Sequence, residues 1–162
     1  MEMDRRTALV LLSTALARGA GTKPQFFSPE EFRLVDQVSE LIIPADAHSP
    51  GAQKAQVAVF VDLVCANSAP ATQRNWRARL QGFDAGARRA FGRGFVELGA
   101  GEQHKWMDRA CSREEARTPA GLFFADLREA TLFAYYTTRI GLQQELGYAG
   151  NSMMGDFPGC RG

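Results

Sequence analysis

An all-α fold, a compact bundle of about five helices followed by an irregular C-terminal segment, is predicted by three observations. Apolar residues recur at helical spacing in five separate stretches, two of which open on a Ser or Thr cap followed by proline, and no convincing strand pattern interrupts them. A chain of 162 residues is one domain's worth and can bury a core without disulfide or metal staples.

Residues 1–21 read as a leader. Arg5 and Arg6 stand immediately before an uncharged apolar run, Thr7 to Ala17, of 11 residues. That run is too short to span a bilayer and suits a signal peptide, and the adjacent arginines are the pattern of the twin-arginine pathway. Ala15-x-Ala17 offers a cleavage site beside Arg18. The competing reading is an N-terminal helix of the fold, but the run is apolar on every face rather than on one. Residues 22–162 are then a single helical domain.

The best-specified helix follows. Ser28 is placed as its N-cap, Pro29 takes the first helical position, and Glu31 completes a capping box. Phe27 and Phe32 sit at the two ends of a hydrophobic staple. Phe32, Val35, Val38 and Ile42, widened by Leu34 and Leu41, make one buried face, and Pro44 forbids continuation. The next stretch, Pro44 to Ala52, is a loop by its Pro, Gly, Asp and Ser content. Asp46 and His48 within it are candidate metal ligands, and an Asx-type turn is the competing use of Asp46.

A second helix is predicted over about Lys54 to Asn67, with Val57, Phe60, Val61 and Val64 inward. A third runs from about Ala71 to Phe91 on Trp76, Leu80, Phe83, Ala87 and Phe91. Its other face carries Arg74, Arg77, Arg79, Arg88 and Arg89, read as a solvated face interrupted by Asp84. Gly92-x-Gly94 follows a helix and not a strand, which removes a phosphate-loop reading. Phe95 to Leu98 is a short extended or turn segment. Gly101 to Cys111 is a fourth helix with Trp106, Met107 and Ala110 inward and His104 at its surface. Thr118-Pro119 opens the longest helix, about Pro119 to Ile140, whose wide apolar arc (Phe123, Leu127, Ala130, Ala134 and Thr138, with Phe124, Thr131 and Tyr135) belongs at the centre of a bundle.

Composition narrows the functions. Nineteen basic against eighteen acidic residues leave a net charge of +1, without a run of five like charges, so no nucleic-acid partner is implied. Eleven Phe imply either an aromatic-rich core or a surface covered by another protein. Of the three cysteines, Cys65 is in register with the second helix's apolar stripe and reads as a buried thiol. Cys111 and Cys160 remain as the less constrained pair for a bridge. The tail from Gly141 is rich in glycine yet carries Tyr148, Met153, Met154, Phe157 and Pro158, a composition suited to wrapping a partner or the chain's own body. Twin-arginine export carries folded, commonly cofactor-loaded proteins, and this chain shows no cofactor motif. A cofactor-bearing partner exported with it resolves the mismatch.

Two stretches bring a family into view. Phe26 to Ala52, FFSPEEFRLVDQVSELIIPADAHSPGA, resembles the opening of the gluconate 2-dehydrogenase subunit 3 family. Tyr135-Tyr136-Thr137-Thr138-Arg139-Ile140-Gly141, then Glu145-Leu146-Gly147-Tyr148-x-Gly150-Asn151 and Phe157-Pro158-Gly159-Cys160, are similar to its ending, while Cys65 to Arg117 matches only in helical rhythm. The resemblance implies a noncatalytic small (gamma) subunit with no cofactor of its own. Its partner would be a large FAD-bearing flavoprotein that oxidises a sugar or sugar acid, with a cytochrome c subunit taking the electrons onward. The small subunit would help the large one fold and cross to the periplasm on one leader, and the complex would meet the membrane without a transmembrane helix from this chain. Tyr135, Tyr136, Arg139, Tyr148, Asn151, Phe157 and Pro158 are the candidate partner residues, because large aromatics and Arg commonly anchor interfaces. The alternative is an independent periplasmic enzyme or metal-binding protein using Asp46, His48 and His104.

Overall fold

The computed structural model describes residues 23–150. The expected leader with Arg5 and Arg6, and Asn151, Phe157, Pro158 and Cys160 near the carboxyl end, lie outside the described residues, and with them the expected Cys111 to Cys160 pairing. Five α-helices follow one another: α1 (Pro29–Ile42), α2 (Val57–Ala66), α3 (Pro70–Phe91), α4 (Ala100–Ala110) and α5 (Pro119–Thr137). A 3-10 turn, Phe95–Glu97, precedes α4, and a π-helical turn, Ile140–Glu145, follows α5. No strand occurs among the described residues, and the all-α expectation holds.

The caps explain the boundaries. Ser28 Oγ accepts the Glu31 amide at 3.2 Å while the Glu31 carboxylate accepts the Ser28 amide at 2.8 Å, closing the capping box read from the sequence. Thr118 Oγ1 accepts the Gly121 amide at 3.2 Å and opens α5 in the same manner. Pro70 stands at the start of α3, one residue before the expected boundary, and Gly92 ends that helix in the left-handed region at φ 75°.

Two boundaries differ from expectation. Residues 52–56 form turns instead of the first turn of α2, because Gln56 sits at φ 58° and the Val57 amide reaches back to the Ala52 carbonyl at 3.1 Å. Helix α5 stops at Thr137 rather than Ile140. Thr138 is extended, its hydroxyl donates to the Tyr135 carbonyl at 2.7 Å and accepts the Gly141 amide at 3.1 Å, and the chain restarts as the π turn. Part of the tail expected to be irregular is therefore helical.

Helix α5 is the axis on which the other four pack. Phe123, Leu127, Ala134 and Tyr135 are fully buried along it. The heavy aromatic load is largely a core property. A chain of ring contacts runs Phe26, Phe27, Trp76, Phe123, Phe83, and from Phe83 to both Phe95 and Trp106, with centroid separations of 4.9 to 6.4 Å. Each such ring contributes about 1.5–3 kcal/mol by leaving water. Two buried hydroxyls satisfy each other across α1 and α5, Thr131 donating to Ser39 at 3.3 Å. Cys65 is fully buried, and burial, with Asp62 and Asp126 nearby, pushes its thiol pKa far up, which leaves it inert.

Candidate functional site

The residues that could have carried catalysis or metal binding are used locally. Asp46 accepts the backbone amides of His48 at 2.7 Å and Ser49 at 2.8 Å, the Asx-type turn that competed with ligation. Those two donors hold its carboxyl below its ordinary pKa. His48 is exposed beside it. His104 is exposed on α4, its Nδ1 2.7 Å from the Ala100 carbonyl oxygen of its own helix. Among the described residues no group of three or more His, Cys, Asp and Glu is placed to hold a metal ion.

The same loop shows what Tyr135 does. Its ring is fully buried and its hydroxyl pairs with Ser49 Oγ and donates to the Pro50 carbonyl at 2.9 Å, holding the 44–52 loop against α5. Removal from water raises the phenol's pKa, with the Ser49 bond opposing the rise. Tyr135 therefore offers no surface to a partner. Tyr136 is half-buried edge-on to it, with centroids 5.3 Å apart. Glu40 secures the loop's other side by accepting the amides of Ala45 at 3.0 Å and Gln53 at 2.8 Å.

Arg139 and Tyr148 are exposed, as a partner surface requires, and Arg139 Nε donates to Gln143 Oε1 at 2.9 Å. Sequence reasoning missed Leu146, which is 60% exposed next to Tyr148 at 46%. These side chains are presented by the π turn. Gly141 seats that turn, since a Cβ there would lie 2.2 Å from the Tyr135 carbonyl oxygen. The Tyr148 amide then bonds the Leu142 carbonyl at 2.8 Å and keeps the segment folded back on itself.

A groove of about 390 Å³ opens between α2, α3 and α5. Phe60, Val64, Trp76 and Ala130 line it, Phe133 stands over Phe60 at 44% exposure, and the ion pair of Arg79 with Asp126 lies at its edge. The basic face of α3, expected to be solvated and interrupted by Asp84, carries that interruption and is also paired to neighbouring helices. Arg79 pairs with Asp126 on α5 and Arg77 with Glu31 on α1 at 3.2 Å, because long side chains on α3 reach its neighbours, while Arg88 pairs with Asp84 within α3 itself at 2.9 Å. Such pairs orient the helices more than they stabilise them, each contributing about 0–1 kcal/mol.

Asp62 went unnoticed in the sequence and is the most heavily used polar side chain in the core. On α2, within an apolar run and only 4% exposed, it accepts the amides of Gln25 at 2.7 Å, Phe26 at 3.0 Å and Phe27 at 2.9 Å. Arg77 completes this arrangement by donating to the Phe26 carbonyl at 2.6 Å, its guanidinium 4.3 Å from the Phe26 ring centre. The only local signal was an Asp inside VAVFVDLVCA, where a charge must find partners if the helix is buried.

Comparison with known proteins gives one match. A family model described as gluconate 2-dehydrogenase subunit 3 aligns with residues 29–159, spanning α1 through the exposed C-terminal segment. No curated protein and no solved structure matches the chain.

Proposed function

The chain belongs to the gluconate 2-dehydrogenase subunit 3 family, and on that premise we propose that it is the noncatalytic small subunit of a periplasmic FAD-dependent sugar or sugar-acid dehydrogenase. It binds the catalytic flavoprotein and assists that subunit's folding and twin-arginine export. The observation that carries this reading is the C-terminal segment. Arg139, Leu146 and Tyr148 project outward from a turn seated on the central helix and lead into residues that the same family model still covers. Large apolar and aromatic side chains exposed together, with an Arg beside them, are what interface anchors look like before the partner arrives.

Electrons would leave the partner's FAD for a cytochrome c subunit, and the complex would meet the membrane through its other subunits. No helix of the described residues is long and apolar enough to cross a membrane. Purification of a C-terminally tagged chain from its native host tests the reading. A yellow large subunit in equal amount is the expected companion, and both should leave the periplasm when Arg5 and Arg6 are changed to Lys. A lone colourless protein carrying stoichiometric metal would replace this reading with the metal-binding one.

A further inference from the structure

The grip on residues 25–27 lies at the junction with the leader. Only Thr22, Lys23 and Pro24 separate Gly21, the end of the leader segment, from Gln25, whose amide is already bound to Asp62. These residues pair with no neighbouring strand, yet three successive amides are satisfied by one carboxylate 35 to 37 positions along the chain. Arg77, 51 positions from Phe26, takes the carbonyl between them. The two partners can act on this segment together only once α2 and α3 have packed, because separations of this length are bridged only by tertiary structure. When they are in place, Phe26 and Phe27 are covered, at 8% and 4% exposure. When they are not, two phenylalanines and three bare amides stand directly beside the leader.

We infer that Asp62 and Arg77 form a folding-dependent dock for the segment joining leader to body, so that the leader is presented for export on a closed surface only after the α2 and α3 pair has formed. The inference rests on the export reading above and adds its control: Asp62 and Arg77 are positioning residues, touching neither a cofactor nor a substrate. An apolar contact alone would bury Phe26 and Phe27 without fixing the backbone between them. The three amide bonds and the carbonyl bond fix its direction as well.

The test uses the full chain with its leader in the native host, together with amide exchange on the purified chain. Asp62→Asn removes the charge and one of the two acceptor oxygens. Arg77→Gln removes the guanidinium and serves where the first variant does not accumulate. Met107→Ala, in the core on α4, is the control for a general loss of stability. In the Asp62 and Arg77 variants the amides of residues 25–27 should exchange about tenfold or more faster beyond any change in α5, whose protection follows global stability. The periplasmic fraction should fall several-fold below that of Met107→Ala at matched Tm. Export that follows Tm alone in all three variants overturns the inference, as does unchanged exchange at residues 25–27. If changing Arg5 and Arg6 to Lys leaves periplasmic levels unaltered, the export reading fails and this inference with it. That failure is recognisable because exchange at residues 25–27 would still depend on Asp62.

Discussion

The two ends of the described chain handle the same problem, an apolar segment outside the helices, in opposite ways. At the amino end, Phe26 and Phe27 are driven into the core and their backbone is bound by Asp62 and Arg77. At the carboxyl end, Gly141 is buried against α5, but Leu146 and Tyr148 beyond it are left about half in water. The difference teaches which apolar residues this chain needs for itself. The amino segment completes the fold; the carboxyl segment is tied down by backbone bonds and leaves the side chains of Leu146 and Tyr148 largely exposed.

Breaking the amino end should cost the most. Asp62→Ala leaves three amides without their acceptor and should lower the unfolding free energy by about 3 kcal/mol or more, measured by urea titration. A change below about 1 kcal/mol would show that water reaches those amides and that the contrast between the ends is weaker than drawn. Gly141→Ala should come next, at about 1–3 kcal/mol, because the added methyl meets the Tyr135 carbonyl oxygen. Its effect should be largest in the 140–150 segment, seen as amide exchange there accelerated beyond the change in α1 to α4. Arg77→Gln should cost about 1–2 kcal/mol through the lost carbonyl bond and the lost cation over Phe26.

The carboxyl end should then behave differently. Changing Leu146 to Asp and Tyr148 to Ser together should leave the isolated chain within about 0.5 kcal/mol of wild type in thermal unfolding, since neither side chain is buried. The same change should deplete the large subunit from tagged purifications. A large loss of stability would show that the segment serves the chain's own core after all. The smallest effect concerns Asp46. Its carboxyl titrates below the usual 3.8, so the folded state favours the charged form and the loop's contribution is present above that value. It should be lost only as pH falls below about 3.8 through the depressed folded value, visible as faster exchange of the His48 and Ser49 amides in acid.

Much of this architecture was legible because its causes are local. The Ser28 capping box, the Thr118-Pro119 start and the apolar stripes at helical spacing each act within a few residues, and the helices appear where those signals put them. The exposure of Arg139 and Tyr148 agrees with what their composition suggested. What escaped was long-range. Tyr135 reads both as part of the apolar arc of its helix and as a candidate partner residue until the Pro50 carbonyl, 85 positions away, is found at its hydroxyl. Asp62 reads as an ordinary helical carboxylate until the amides of Gln25, Phe26 and Phe27 converge on it.

By itself, then, the sequence determined the helices, their caps and the family, because hydrophobic period and capping are properties of neighbouring residues. The tertiary structure alone decided how Tyr135 is bound in the core, which carboxylate is shared, and which end of the described residues is left with apolar side chains in water. Those outcomes depend on backbone donors and acceptors brought together from distant positions, and a polar group withdrawn from water must be satisfied by whatever the packing delivers.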